Sequence, residues 1–221
     1  MKYNVIITKK NIKNIILKVK FDGTVTLSAP KRTPNVFIES FLKSKEQWIL
    51  KNLEKIKKNS TKAVDKSYKN GDNIEYLGNI YILEILNNSK NFIKIEDNRF
   101  KVFCNKEINK KNIETIIYNW YKKEAIRIFK ISLDKYSNLI GEKYIDFKIR
   151  KMKRRWGSCR YLSKLITLNV ELIKKPIECI DYVALHEISH LKLPHHKKEF
   201  WDFISIYMPD WKIRKERLDK I

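Results

Sequence analysis

The chain has 221 residues, of which 43% are hydrophobic, including 5 Trp, 11 Tyr and 10 Phe, so it can bury a sizeable core and is not a disordered or low-complexity sequence. No run approaches the roughly 18 apolar residues of a membrane span, and the N-terminus lacks the apolar segment of a signal peptide. The formal net charge of +23 excludes a strongly acidic protein and suits an anionic partner.

The first hundred residues are predicted to be rich in β-strands and to carry one long helix. Asp22-Gly23 separates the strand-like runs Ile12–Phe21 and Thr24–Ala29, which predicts a hairpin. From Val36 to Lys58, apolar residues recur mostly at spacings of three or four, which predicts one amphipathic helix. A small antiparallel sheet is predicted from four short runs between turn residues: Asn73–Tyr76, Asn79–Ile85, Phe92–Glu96 and Phe100–Phe103.

The second half of the chain is predicted to be mainly helical, with a short strand–turn–strand unit in its middle. Gly141 is expected to end its first helix, and Pro194 the helix that follows the strands. The predicted elements are a helix over about Lys110–Asn138, strands within Tyr144–Lys153 and Leu165–Val170, and helices over Ile177–Leu193 and about Lys197–Met208.

All four histidines of the chain lie between residues 186 and 196. His186, Glu187 and His190 form the pattern His-Glu-x-x-His inside a predicted helix. Because residues i and i+4 lie on one face of a helix, both imidazoles can bind one ion, with the glutamate beside it. The pattern is typical of zinc hydrolases in which the glutamate is the general base and does not bind the metal.

A catalytic zinc ion takes three protein ligands and keeps a fourth position for water. His196, six residues after His190, is the preferred third ligand, and a carboxylate is the alternative. His195 is then a residue that faces the substrate or supports a ligand, or one that is merely exposed. The candidates for the third ligand are His195, His196, Glu199 and Asp202.

Ligating histidines usually donate their second N–H to an oxygen, and Asp202 and Asp210 are candidates for that role.

The turn before the second strand offers further site residues. Arg155 or Ser158 is predicted to face the substrate or the oxyanion from a cleft wall. In the alternative interpretation Trp156 packs in the core and Gly157 supplies a tight turn. Cys159 is left out of the ligand set because three histidines complete a catalytic site.

An ordered set of motifs runs through nearly the whole chain. It comprises Asp22-Gly-Thr-Val-x-Leu-x-Ala-Pro30, Lys45-x-x-Trp48-Ile49, Tyr76-Leu-Gly78, Arg155-Trp-Gly-Ser-Cys159, Ile166-Thr-Leu-Asn169, Asp181-Tyr-Val183, His186-Glu-Ile-Ser-His190, His196-x-x-x-Phe200-Trp201 and Met208-Pro-Asp210. This set resembles the YgjP-like metallopeptidase domain family, whose members are predicted zinc-dependent hydrolases related to SprT-like and other gluzincin-type peptidases. The resemblance implies that His196, four residues before Phe-Trp, is the third ligand.

These observations predict an α+β fold, with a β-rich subdomain over residues 1–105 and a zincin-like metallopeptidase subdomain over residues 106–221. The expected function is hydrolysis of peptide bonds in a protein or peptide substrate, with Zn²⁺ as cofactor and Glu187 as general base. The three cysteines are odd in number and lack C-x-x-C spacing, which indicates a reducing, cytoplasmic location, and no membrane association is expected.

Two other functions are consistent with the sequence. The +23 charge allows a nucleic-acid-associated protein, or a protease acting on DNA-bound proteins through a basic surface. However, the lysines are scattered over every segment, and a compositional bias of the genome would give the same pattern. A metal-dependent hydrolase of non-peptide amides is the remaining alternative.

Overall fold

The structure is a computed structural model that describes residues 3–20, 22–60, 67–105 and 107–220, without the side chains of 55–60, 219 and 220. The chain forms two compact units, Met1–Lys66 and Ser67–Ile221. Strands and helices occur in separate runs along the chain, so the predicted α+β class is confirmed. Within the described part of the chain, no helix has both the length and the apolar character needed to cross a bilayer.

The first unit contains a three-stranded sheet, in the order β1-β3-β2, that confirms the predicted hairpin. Asp22 Oδ1 accepts a hydrogen bond from the Thr24 N–H at 2.8 Å, and Gly23 has a φ of +81°, so the Asp-Gly dipeptide makes the turn. Phe21, the end of the first predicted run, lies outside the described residues. The strands are β1 (Val5–Lys10), parallel to β3, and β2 (Ile16–Val19), antiparallel to β3 (Val25–Pro30).

Two helices, α1 (Asn35–Ser44) and α2 (Glu46–Ser60), follow this sheet, so the prediction of one continuous helix is wrong. The break falls at Lys45, whose φ of −102° and ψ of 4° are not helical. The apolar spacing continues across the break because both helices contribute to the same core as the inner face of β3. The buried members of that core are Val25, Leu27, Ala29, Ile38, Leu42 and Ile49.

The second unit begins with a four-stranded sheet in the order β4-β5-β7-β6. The prediction that this sheet is wholly antiparallel is wrong, because β5 and β7 are parallel. The β6–β7 hairpin turns at Asp97 and Asn98, which both have positive φ, and it brings β7 rather than β6 beside β5. The strands are β4 (Asn73–Tyr76), β5 (Asn79–Asn87), β6 (Phe92–Glu96) and β7 (Arg99–Cys104).

The long helix α3 (Lys110–Ile140) connects this sheet to the rest of the second unit. As predicted, it ends at Gly141, which takes the left-handed conformation with a φ of 78°. Its buried residues share one core with the sheet and with the later helices; examples are Phe100 of β7, Phe129 of α3 and Leu185 further on. This shared core explains why the compact units divide at residues 66 and 67, whereas the sequence placed a boundary at 105 and 106.

The remainder of the second unit is a small sheet in the order β8-β10-β9, followed by three helices. β9 and β10 are antiparallel, so a small antiparallel hairpin precedes the last three helices, as expected. Its first strand was not predicted, however: β9 lies in the segment that was expected to be the turn, and β8, the strand predicted within residues 144–153, is parallel to β10. A 3₁₀ turn at Val170–Lys174 leads from β10 into the helices. The elements are β8 (Asp146–Arg150), β9 (Gly157–Arg160), β10 (Leu165–Asn169), α4 (Ile177–Ser189), α5 (Lys198–Tyr207) and α6 (Trp211–Lys220).

Candidate active site

The helix α4 carries the first two histidines, and its end differs from the prediction. It ends at Ser189 rather than at residue 193, with His190 as its C-cap. The N–H of Leu193 bonds back to the Ser189 carbonyl at 2.9 Å, so residues 190–193 form a turn. This turn brings the Leu193 carbonyl to 3.0 Å from His190 Nδ1. The sequence pattern located the helix, but this final turn was not distinguishable from it.

Three imidazoles converge beyond the end of α4. His186 Nε2 lies 3.2 Å from His190 Nε2 and 2.9 Å from His196 Nε2. Ligand atoms of the three residues all lie within 4.8 Å of one another, as a shared metal ion requires. His196 reaches this point from the segment between α4 and α5. The structure thus brings together the three histidines that the sequence grouped.

The electrostatics of these imidazoles favour their neutral form. Burial lowers the pKa of His186 to about 3, assisted by the neighbouring His190, His196 and Lys215. Burial also lowers the pKa values of His190 and His196. The Leu193 carbonyl can accept a hydrogen bond from a protonated His190 Nδ1, and in that tautomer the Nε2 lone pair is available to a metal. Three neutral nitrogen donors in this arrangement fit a divalent metal such as zinc.

Glu187 lies beside the histidines but is buried, with 5% of its surface exposed. Its burial raises the pKa of the carboxyl to about 8, against the opposing charge of Arg155. The side chain passes directly over Gly157 of β9: a Cβ at that position would lie 2.5 Å from Glu187 Oε1 and 2.7 Å from Cγ. The interpretation of Gly157 as a tight turn is wrong, because it lies in a strand and is not among the glycines with positive φ.

The segment that leads into β9 is held by the amide of Asn169, which is 4% exposed. Its Nδ2 donates to the Met152 carbonyl at 2.8 Å and to the Arg155 carbonyl at 3.1 Å. Its Oδ1 accepts from the N–H groups of Met152 and Glu171, both at 3.2 Å. One side chain therefore fixes both ends of the turn that carries Arg155, a role that the sequence did not assign to it.

The three histidines and Glu187 line one cavity of about 490 Å³. Arg155 and Ser158, predicted to form a cleft wall, both line it, as does Cys159. Burial, and secondarily the charge of Glu187, raises the pKa of the Cys159 thiol to about 12, so it stays protonated near neutrality. The other lining residues are Trp156, Gly157, Tyr161, Tyr182, Val183, His186, Glu187, His190, Pro194, His196, Lys215 and Leu218.

Three residues that the sequence put forward lie elsewhere. His195 is exposed and does not line the cavity. Asp202 is also exposed, and Asp210 accepts a hydrogen bond from Arg214 Nε at 2.9 Å. The oxygen in contact with His190 is instead the backbone carbonyl of Leu193. A backbone partner leaves no trace in the residue types, which is why the sequence pointed to carboxylates.

Aromatic side chains support the histidines from α5. Phe200 is fully buried, with its ring centroid 5.0 Å from that of His186 and 4.6 Å from that of His190. Trp201 stacks on His196 with a centroid distance of 5.6 Å and an interplanar angle of 21°. Phe200 and Trp201 therefore pack against the histidines and are not among the residues that line the cavity.

Comparison with known proteins is consistent with this site. Residues 13–221 match the family described as YgjP-like, metallopeptidase domain. The chain matches no curated protein. It is similar to the crystal structure of the metallopeptidase zymogen abylysin of Pyrococcus abyssi, with 22% identity, a TM-score of 0.38, and coverage of 41% of this chain and 90% of that one.

A second similar crystal structure is the metallopeptidase zymogen jannalysin of Methanocaldococcus jannaschii. It shares 19% identity and a TM-score of 0.38, and the match covers 42% of this chain and 88% of that one. The family match, by contrast, spans both compact units and includes every residue of the cavity. The chain therefore belongs to the YgjP-like metallopeptidase domain family.

Proposed function

We propose that this metallopeptidase is a zinc enzyme that hydrolyses peptide bonds, with His186, His190 and His196 as ligands and Glu187 as general base. The observation that carries the proposal is the convergence of three Nε2 atoms beside a buried carboxylate in one cavity. When bound, zinc lowers the pKa of a water molecule to about 7 and polarises the scissile carbonyl.

Glu187 supplies the proton transfers. Its carboxylate accepts a proton from the attacking water as the water oxygen bonds to the carbonyl carbon. When the C–N bond breaks, the same carboxyl donates that proton to the leaving amine. Burial raises the pKa of this carboxyl, which makes it a stronger base than an exposed glutamate. Contact with Gly157 restricts the side chain and keeps it facing the cavity that it lines.

The strand β9 provides a binding surface for an extended peptide. Among the described strands it pairs with β10 alone, so its other edge retains unpaired backbone groups. A peptide that adds to this edge gains main-chain hydrogen bonds. Ser158 and Arg155 line the cavity along this segment, which supports their assignment as contacts of the substrate carbonyl or the oxyanion.

The proposal is tested by hydrolysis of a peptide library with zinc-loaded protein. Glu187→Gln should lower kcat by about 10²–10⁴-fold with unchanged zinc content, since only the proton acceptor is lost. Glu199→Gln, a change at an exposed glutamate on α5, is the control and should retain wild-type rates. Wild-type rates in Glu187→Gln would reject the assigned base, and a wild-type protein that cleaves no peptide would reject the peptidase function.

A basic segment beside the cavity favours nucleic-acid binding as a second candidate function. Five of the six residues 150–155 are basic: Arg150, Lys151, Lys153, Arg154 and Arg155. All five are exposed, and among the ion pairs between described residues none includes them. Such a run is typical of polyanion-binding surfaces, and it would allow the enzyme to act on proteins bound to DNA.

Duplex DNA binding, measured by fluorescence anisotropy between 50 and 200 mM salt, tests this second candidate. Counterion release predicts a steep loss of affinity with salt. A triple variant with glutamine in place of Arg150, Lys151 and Lys153 should bind DNA more weakly, and its affinity should depend less steeply on salt concentration. In the control variant, glutamine replaces the three exposed lysines at residues 9, 10 and 13, and both the affinity and its salt dependence should change much less. A flat salt response, or no binding at 50 mM salt, would reject it.

A further inference from the structure

The cavity contains a lysine that the sequence analysis did not single out. Lys215 lies on α6, in a stretch of the chain for which the sequence predicted no element. The structure places it among the residues that line the cavity, together with the three histidines. Its charge is close enough to contribute to the lowered pKa values of His186 and His196.

The ammonium group of Lys215 makes cation–π contacts with two tryptophan rings. Its Nζ lies 5.1 Å from the ring centroid of Trp201 and 5.9 Å from that of Trp211. The two indoles stack on each other with centroids 4.5 Å apart and an interplanar angle of 18°. Trp201 also stacks on His196, so a continuous series of ring contacts joins the lysine to the histidine group. Lys215 is therefore positioned before any substrate arrives.

Positive side chains outnumber negative ones among the residues that line the cavity. Arg155 and Lys215 are the lysine and arginine residues among the lining residues, the histidines being neutral, and Glu187 is the only carboxylate among them. Arg155 precedes β9 and Lys215 lies on α6, and both of these elements pack against α4. A divalent metal at the histidines would add further positive charge. A substrate carboxylate is attracted to this cavity, and a lysine or arginine side chain is repelled.

We infer that Lys215 determines substrate specificity by binding a carboxylate close to the scissile bond, so that the preferred substrates are acidic peptides. This inference rests on the peptidase function proposed above and assigns its substrate class. The carboxylate can belong to an aspartate or glutamate side chain or to the C-terminus of a short peptide. An ammonium–carboxylate hydrogen bond is the shared chemistry, and it is stronger than a bond between neutral groups.

The test uses one peptide scaffold that varies at the positions flanking the cleaved bond. Glu, Gln and Lys are compared there, and each peptide is made with a free and with an amidated C-terminus. Zinc-loaded wild-type protein should prefer Glu to Gln by about tenfold in kcat/KM and should disfavour Lys. A preference that persists in amidated peptides identifies a side-chain carboxylate, and one that requires the free C-terminus identifies the terminal carboxylate.

Charge-altering variants on α6 assign the preference to Lys215. Lys215→Glu should invert the order of Glu and Lys peptides, and Lys215→Met should abolish the preference without inverting it. Lys212→Glu is the control, because Lys212 Nζ also lies over the Trp211 ring, at 5.7 Å, but the residue does not line the cavity. It should keep the wild-type order. Zinc content and melting temperature of each variant establish that the site and the fold are retained.

Two results overturn the inference while leaving the peptidase function intact. One is cleavage by the wild-type protein with equal kcat/KM for the Glu, Gln and Lys peptides. The other is an equal change of preference in Lys212→Glu and Lys215→Glu, which would mean that only the general charge of α6 matters. A wild-type protein that cleaves no peptide of the series at low salt rejects the peptidase function and the inference with it.

Discussion

Because Gly157 has no side chain, the carboxyl group of Glu187 can occupy the space beside its Cα. The carboxylate oxygen Oε1 would be 2.5 Å from a Cβ at residue 157, a distance that real Cβ contacts essentially never show. β9 and α4 therefore approach so closely that the carboxyl is enclosed between a strand and a helix. This enclosure excludes water, which accounts for the raised pKa of Glu187.

Gly157→Ala tests this relationship. The added methyl group should displace the Glu187 carboxylate from its position and lower kcat by about 100-fold, since small misplacements of a catalytic group are costly. Zinc content should be unchanged, because the three histidines do not move. Steady-state peptide hydrolysis and metal analysis provide the measurements.

Gly141→Ala is the control for this substitution. Gly141 has a φ of +78°, and a Cβ there would meet nothing within 4 Å. Alanine in the left-handed conformation should cost about 1 kcal/mol of the free energy of unfolding but leave kcat at the wild-type value. Full activity in Gly157→Ala would contradict the role assigned to the glycine.

Asn169 is expected to be necessary for both stability and activity. Asn169→Ala removes a buried amide and leaves part-buried backbone groups of Met152 and Arg155 without their partners, so it should lower the free energy of unfolding by about 2–3 kcal/mol. It should also lower kcat/KM, because the turn that carries Arg155 loses its support. Urea denaturation and peptide hydrolysis measure the two effects.

Asn112→Ala is a suitable comparison, because the Asn112 amide donates to the Glu107 carbonyl at 3.0 Å in an exposed position. Its loss should cost less than about 1 kcal/mol, with no change of activity. Equal losses of stability in the two variants would contradict the special role of Asn169.

Asp181 anchors α4 to α3, and its removal should affect stability rather than chemistry. Its carboxylate accepts hydrogen bonds from Ser132 Oγ at 2.8 Å, Lys135 Nζ at 2.8 Å and Tyr136 OH at 3.3 Å. Asp181→Ala should lower the free energy of unfolding by about 3 kcal/mol, since it leaves buried donors unpaired. Thermal unfolding measures this loss, and the folded variant should keep its zinc.

Lys135→Met is the matching change on the other side of this ion pair. The Lys135 side chain is 54% exposed, compared with 12% for Asp181, so the variant should lose less than about 1 kcal/mol. If Lys135→Met destabilised the protein as much as Asp181→Ala, the ion pair rather than the buried hydrogen bonds would be the dominant contribution.

Features that depend on local sequence were predictable. The Asp22-Gly23 turn, the end of α3 at Gly141 and the grouping of His186 with His190 all follow from backbone preferences and helical spacing. In each case the residues that determine the feature are close together in the chain. The break between α1 and α2 at Lys45 was missed because the apolar spacing continues through it.

Features that depend on packing between distant segments were not predictable in the same way. Gly157 was interpreted as a tight turn, and its actual role becomes clear only when Glu187 of α4 is placed against it. Lys215 carried no signal at all, since it lies in a charged segment and its position depends on the contact of α6 with α4. The parallel pairing of β5 with β7 likewise depends on how one hairpin folds back on the sheet.

Zinc content is the most direct test of whether His186, His190 and His196 form one metal site. Metal analysis after mild purification compares the wild-type protein with His196→Ala and with His195→Ala, a change at the exposed neighbouring histidine. We expect about one equivalent of zinc in the wild type and in His195→Ala, and loss of zinc in His196→Ala, because one of three ligands is removed. A wild-type protein without transition metal, or an equal loss of zinc in both variants, would contradict it.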